Sequence, residues 1–404
     1  MKKFTYEARD QATNKIIKSE VQADTESAAA KLLIKQGFVP LSVKEKSEDG
    51  SMLAKLNGRI TTKDKVVFTR QLATLIGAGL PLSQSLHTVI AQTENKKLQS
   101  VIQEIAGSVE GGNSLTDSFS KHPKVFNEVF LALISAGEMS GTLDDALRRI
   151  AAQQEKDAAI TSKIKGALTY PVIVLFVIMG VIIFMMIAVV PQVETLYGDL
   201  GKELPFLTQM MVGMANFLIS FWWIVILAIA IGGYFGYQYI QTDSGIKTKD
   251  TLKMKVPVFG KMFQKLYMAR FTRTGQTLLS TGVSMLDTLH ISSKAVNNTI
   301  VGASINRVAD KVQSGKALSV ALEAESEVMN SLVPQMIKIG EQSGKIDEMM
   351  GKTAQVFEDE LDEQIRTLST AIEPILMVVL AVVAGGMVGA ILFPIYSLVG
   401  GINL

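Results

Sequence analysis

Three histidines, His87, His122 and His290, are the side chains best suited to metal ligation or proton transfer near neutral pH. They do not cluster, and no cysteine is present to join them. Without cysteine, disulfides, thiolate zinc sites, iron–sulfur clusters and a cysteine nucleophile are excluded. No Walker A segment, Gly-x-Ser-x-Gly elbow, His-Glu-x-x-His helix or dinucleotide fingerprint occurs. No catalytic residue, metal site or cofactor is expected, and any energy must come from another subunit. The sharpest motif is a pentapeptide that occurs twice, Gly137-Glu138-Met139-Ser140-Gly141 and Gly340-Glu341-Gln342-Ser343-Gly344. Two roles suit it. As a tight helix–helix turn, its glycines allow close approach and positive φ, while Glu138 and Glu341 cap a backbone N–H or pair with arginine. As a binding element, the two glutamates contact a partner or an ion. Repeated glycine spacing favours the turn.

The pentapeptides belong to a longer duplication. Phe68-Thr69-Arg70 returns as Phe271-Thr272-Arg273, and His87 returns as His290, always at an offset of 203. Residues 68–151 and 271–354 share 23 identities in 84 positions without a gap. Chance would give about one in fifteen. A shared repeat position suggests a packed or capping role for His87 and His290. The same offset carries Pro171 onto Pro374 and Pro191 onto Pro394. One unit, a soluble bundle followed by an apolar helix, has therefore been copied.

Within each unit the pattern is helical. Val66, Val67, Leu72, Leu75 and Ile76 recur near a 3.6-residue period. Gly77 and Gly79 end that helix and Pro81 opens the next. Asn113-Ser114-Leu115 and Asn127 read as helix starts. Thr142-Leu143-Asp144-Asp145 opens a long stretch toward the first apolar run, with a break anticipated at Pro171. No strand pattern appears, so each unit is expected to be a bundle of about six short helices.

Hydrophobic residues make up 48% of the 404 and charged residues 19%, below the usual share of about 25%. Mean hydropathy is +0.28, which points to lipid. The net charge of +2 excludes a polybasic nucleic-acid binder. The N-terminal MKKFTYEARD has no apolar h-region, so no cleavable signal is expected. Pro171–Val190, Phe217–Tyr239 and Pro374–Phe393 are uncharged runs long enough to span a bilayer. Lys163 and Lys165 precede the first run, and Lys247, Lys249, Lys253, Lys255, Lys261, Lys265 and Arg270 follow the second. By the positive-inside rule those sides are cytoplasmic, the N-terminus with them, and the C-terminus is extracytoplasmic. Two like copies facing one compartment need an even number of crossings between them, which agrees. Uncharged spans argue against solute transport by this chain alone.

The expected organisation is a small N-terminal α/β module at 1–46 and a linker at 47–62. A first bundle at 63–166 leads into a span at 167–190. An extracytoplasmic segment at 191–216 precedes a span at 217–239, and a second bundle at 240–369 leads into a span at 370–393. A tail at 394–404 follows. The module rests on alternating Phe4, Tyr6 and Ala8, a helix at Glu26–Gln36 and a short strand around Leu41 and Val43. Gly232/Gly236 and Gly385/Gly389 give membrane helices room to pack, within or between subunits. The acidic run Glu358-Asp359-Glu360 with Asp362 and Glu363 reads as a solvated helix face, or as a dock for a basic partner.

The chain resembles the polytopic inner-membrane platform proteins of type IV pilus assembly and type II secretion, the F family. The resemblance covers nearly the whole length. It rests on Phe68-Thr69-Arg70 with Gly79-Leu80-Pro81-Leu82, the two Gly-Glu-x-Ser-Gly segments, Tyr170-Pro171, Leu204-Pro205 and Glu373-Pro374, together with the duplication. The second repeat departs at Ser284, where the proline is missing, and Asn14 and Ser19 stand where the family commonly has glycine. The resemblance implies a non-enzymatic platform in the bacterial cytoplasmic membrane. Its implied partners are a cytoplasmic hexameric assembly ATPase, pilin or pseudopilin subunits, other inner-membrane assembly components, the lipid bilayer and further copies of itself. The pilus branch is favoured. The alternative is a membrane scaffold or receptor unrelated to fibres.

Overall fold

The computed structural model describes residues 2–10, 16–23, 38–45, 59–199, 206–257 and 259–400. It divides into a unit of residues 1–61 with 95–97 and a larger unit holding the rest. In the smaller unit, β1 (Lys2–Asp10), β2 (Ile16–Ala23) and β3 (Phe38–Glu45) form an antiparallel sheet in the order β2-β1-β3. Tyr6 pairs with Ser19 on one side and Val43 on the other. The β1–β3 register shifts between Glu7 and Ala8, opposite Pro40. An edge strand with a bulge is where a sheet tolerates a residue lacking N–H. The anticipated helix Glu26–Gln36 lies outside the described residues.

The first repeat of the larger unit comprises α1 (Thr62–Gly77), α2 (Leu82–Gln92), α3 (Lys96–Glu110), α4 (Leu115–Ser120), α5 (Glu128–Ser140) and α6 (Leu143–Phe184). Then come α7 (Val190–Asp199), α8 (Phe206–Gln241) and α9 (Asp243–Lys255). The second repeat comprises α10 (Phe259–Leu279), α11 (Met285–Ala295), α12 (Thr299–Gln313), α13 (Leu318–Glu323), α14 (Leu332–Ser343) and α15 (Ile346–Gly400).

Equivalent positions do equivalent work. Phe68 and Phe271, Leu86 and Leu289, Ile102 and Ile305, Ile134 and Ile337 are all buried. The fillings differ around them. Phe119, Phe126 and Phe130 stack edge-on or tilted in the first repeat, with centroids 4.5–4.9 Å apart. Leu322, Met329 and Val333 take those places in the second. One scaffold thus accepts two apolar sets of workable volume. Caps are exchanged as well. Ser114 and Asn127 accept from the amides of Asp117 and Phe130 at 2.9 and 3.0 Å. Where the first repeat opens α2 with Pro81, Ser284 accepts from the Asp287 amide at 3.2 Å.

Among the described residues, three helices are long and apolar enough to cross a membrane, falling within Leu143–Asp199, Ile219–Gln241 and Ile346–Gly389. The anticipated break at Pro171 does not occur, and α6 passes through it. In an apolar solvent the neighbouring peptide groups have no partners but one another, so the helix persists. Before Pro191 the chain widens into a π turn at Met185–Val189, which accommodates a ring that cannot donate and would crowd an ordinary turn. The helices overrun their expected ends. Residues 191–199 and 394–400, placed beyond the spans by hydropathy, are helical. The second apolar helix kinks at Phe221 (φ −120°, ψ 21°).

Candidate functional site

Each Gly-Glu-x-Ser-Gly segment builds a corner, α5 to α6 in one repeat and α14 to α15 in the other. A Cβ on Gly137 would lie 2.6 Å from the Ala146 Cβ, and one on Gly340 2.8 Å from the Ile346 Cα. Only glycine lets the two helices meet so closely. Gly141 and Gly344 end α5 and α14 at φ 72° and 69°, a region that costs other residues about 1–2 kcal/mol. The next amides, of Thr142 and Lys345, both return 2.9 Å to the carbonyls of Gly137 and Gly340. Ser140 and Ser343 donate to the carbonyls of Ala136 and Ile339, four residues back, at 2.7 and 2.8 Å.

The glutamates turn inward to cap helices. Glu138 accepts from the amides of Leu115 and Thr116 at 2.7 and 3.0 Å and from the Thr116 hydroxyl at 2.7 Å. Glu341 accepts from the amides of Leu318 and Ser319 at 2.6 and 3.2 Å and from the Ser319 hydroxyl. The carboxylates therefore sit on the first turns of α4 and α13, whose amides have no intrahelical acceptor. Burial raises the Glu138 pKa, but the Thr116 hydroxyl and the two amides outweigh it and hold the group below the usual range. Of the two structural alternatives the capping one is seen, with no arginine bridge to either glutamate among the described residues.

The second feature is the seam between the repeats. Ile160 of α6, Met262 and Leu266 of α10, and Leu361 and Ile365 of α15 form one buried cluster. Above it, Glu358 is gripped twice. Arg273 donates to both its oxygens at 2.8 and 2.9 Å, and Lys156 of the first repeat reaches it at 2.9 Å. Burial raises its pKa, yet the two cations leave it lowered. Lys163 pairs with Asp362, and Lys265 with Glu360 at 2.7 Å. Glu358, Glu360 and Asp362 thus pair within the chain, while Asp359 and Glu363 remain on the solvated face that was anticipated. Periodicity could not reveal this pairing, because the cations on α6 lie some 200 residues away in sequence.

The remaining candidates are less connected. His87 is exposed and meets Glu110 at 2.7 Å, and His290 is exposed too, so neither packs in a core. Among the described residues no three His, Asp or Glu side chains converge on a metal-sized site. Gly232, Gly236, Gly385 and Gly389 meet no other helix of the chain within 4 Å of an added Cβ.

Replacing Glu138 or Glu341 with Ala should cost about 2 kcal/mol in either repeat, read as a lower melting temperature of the detergent-purified chain. Unchanged melting for both variants would mean that the amides find other acceptors. Glu358→Gln should cost about 2 kcal/mol, and adding Lys156→Gln to it should cost little more, since the two share one interaction. Because the folded-state pKa of Glu358 is lowered, its contribution is present above the ordinary carboxylate range. It is lost as pH falls below about 4, whereas the Gln variant lacks that acid-dependent loss.

The model of type II secretion system protein F matches residues 68–191 and 271–394, which are the two copies of the repeat. The model of that protein's N-terminal domain matches residues 1–44. The type IV pilus assembly protein PilC of Myxococcus xanthus is 39% identical, aligned over 99% of this chain and 96% of its own. PilC of Thermus thermophilus is 34% identical over 99% of both. Type II secretion system protein F of Pseudomonas aeruginosa is 31% identical over 98% of this chain and 99% of its own. With three apolar helices, these relationships indicate an inner-membrane protein. Two matched repeats, an N-terminal match and relatives aligned end to end place the chain in the type II secretion system protein F family, on the side of its pilus-assembly members.

Proposed function

We propose that the protein is the inner-membrane platform of a type IV pilus machine, passing work from a cytoplasmic assembly ATPase to pilin subunits leaving the bilayer. The observation that carries this reading is mechanical continuity. The 42-residue α6 and the 55-residue α15 each begin at a corner of a bundle and end in an apolar run. At 1.5 Å per residue these rods are about 63 and 83 Å long. A load applied to either bundle has a helical path into the bilayer. The relatives named for pilus assembly support the branch.

In this reading both bundles and the N-terminal module face the cytoplasm, where an ATPase hexamer docks. The spans at 167–190, 217–239 and 370–393 meet pilins, other inner-membrane components and further copies of the chain. Gly232, Gly236, Gly385 and Gly389 supply close contacts there. The chain itself performs no catalysis.

An in-frame deletion, scored in parallel for surface fibres and secreted proteins, should abolish fibres and leave secretion intact. The opposite pattern would assign the protein to a secretion machine, and an unchanged phenotype would overturn the platform reading. A periplasm-dependent reporter fused after Leu404 should be active, and one fused at Gln241 inactive. Reversed activities would refute the orientation.

A further inference from the structure

The second apolar helix does not end in a loop. α8 stops at Gln241, Thr242 caps the next helix, and α9 begins at Asp243. The Thr242 amide and hydroxyl both donate to the Tyr239 carbonyl, at 3.0 and 2.7 Å, and the hydroxyl accepts from the Gly245 amide at 3.1 Å. A Cβ on Gly245 would fall 1.8 Å from that same carbonyl oxygen. The first turn of α9 is therefore pressed against the last turn of α8, and no chain is left over to carry α9 away from the end of the apolar run. Tyr234, Tyr237 and Tyr239 are exposed at that end, the residue type enriched at the headgroup level of a bilayer.

The inner side of α9 is fixed to the second bundle. Asp250 is buried and accepts from the Thr299 amide and hydroxyl of α12 at 2.9 and 3.1 Å. Met254 packs on the core of that bundle. Gly245, Thr248, Leu252 and Lys255 follow one another at three- or four-residue steps and so share a stripe. The stripe begins against the end of α8, where the Thr248 hydroxyl lies 3.4 Å from that of Tyr239. Leu252, next along it, is 62% exposed. Four lysines and two aspartates make up the charge of α9. Asp250 is spent on α12, with Lys253 beside it at 4.0 Å. Lys247, Lys249 and Lys255 pair with no carboxylate among the described residues, and Lys247 and Lys255 are exposed. The plan of the repeat does not explain them, because α9 lies outside both matched copies.

We propose that α9 is a binding surface for anionic phospholipid, with Lys247, Lys249 and Lys255 on headgroup phosphates and Leu252 at the edge of the acyl layer. An exposed leucine between lysines, level with interfacial tyrosines, suits the boundary between headgroups and chains. Lysine stems are long and apolar enough to lie along that boundary while the ammonium groups reach phosphate. An acidic protein would answer the lysines but would leave an exposed leucine on the edge of α9 that meets the span. The proposal requires α8 to cross the bilayer and no other part of the platform reading.

The absence of cysteine allows a single reporter. The full-length chain carrying Leu252→Cys, labelled with a maleimide fluorophore, is reconstituted in phosphatidylcholine vesicles. These contain a small fraction of acyl-spin-labelled phosphatidylglycerol, or the same fraction of equally labelled phosphatidylcholine. Quenching by the anionic lipid should exceed quenching by the neutral one about fivefold, the weight of one lysine at an anionic surface. Lys247→Gln, Lys249→Gln and Lys255→Gln together should bring the ratio to about one. Lys247→Arg, Lys249→Arg and Lys255→Arg together should keep it, which separates charge from folding. A label at Phe217→Cys, toward the other end of α8, should show no preference. Equal quenching at position 252, or an equal preference at position 217, would overturn the proposal. A preference that survives the glutamines would overturn it too and leave the lysines to an acidic protein. The ratios are read without fibres, so the platform reading stands or falls separately.

Discussion

Glu358 fixes the arrangement of the large unit. Its side chain is 13% exposed and holds Arg273 of its own repeat and Lys156 of the other. A carboxylate so placed depends on these cations, because an unpaired charge there would carry the full desolvation cost. The buried cluster beneath it supplies attraction without direction. The ion pairs supply direction. Together they set the two long helices side by side, so that neither bundle can turn freely without its twin.

Each bundle depends on a smaller version of the same logic. The corner glutamate ties the end of the fifth helix of a repeat to the start of its fourth, across 23 residues of sequence. The glycines on either side let the next helix leave at close quarters. The long helix is thus oriented at its root by backbone geometry and a capped helix end, and farther along by the seam. Orientation at two separated points makes a rod, and the proposed mechanical role needs a rod.

Much of this was legible in the chain. Duplication exposed the repeat, and the Gly-Glu-x-Ser-Gly spacing exposed the corner, because a tight turn leaves a glycine signature that needs no partner. Apolar runs exposed the membrane helices. The failures share a cause. β2 escaped notice because Ile16-Ile17 interrupts its alternation, and its pairing with β1 is a relationship between segments. The pairing of Glu358 and Asp362 escaped notice because Lys156 and Lys163 answer them from the other repeat. Proline seemed to forbid a continuous helix at Pro171, a rule drawn from water, where freed peptide groups have somewhere else to bond. The overrun of helices past Val190 and Phe393 has a related origin, since hydropathy marks where lipid ends and not where hydrogen bonding does.

The two prolines inside the rods have a consequence of their own. Pro171 and Pro374 occupy equivalent points near the entry of α6 and α15 into their apolar runs. Each lacks an amide proton, so the carbonyl four residues earlier, of Ala167 or Thr370, is missing its ordinary partner. A helix with one rung removed is most compliant at that level. A load entering from either bundle would meet the same soft joint in both rods, at equivalent points of the repeat. Displacement would then arrive in the bilayer as a coordinated change of tilt, with the paired joints acting as a universal coupling between a stiff base and the lipid.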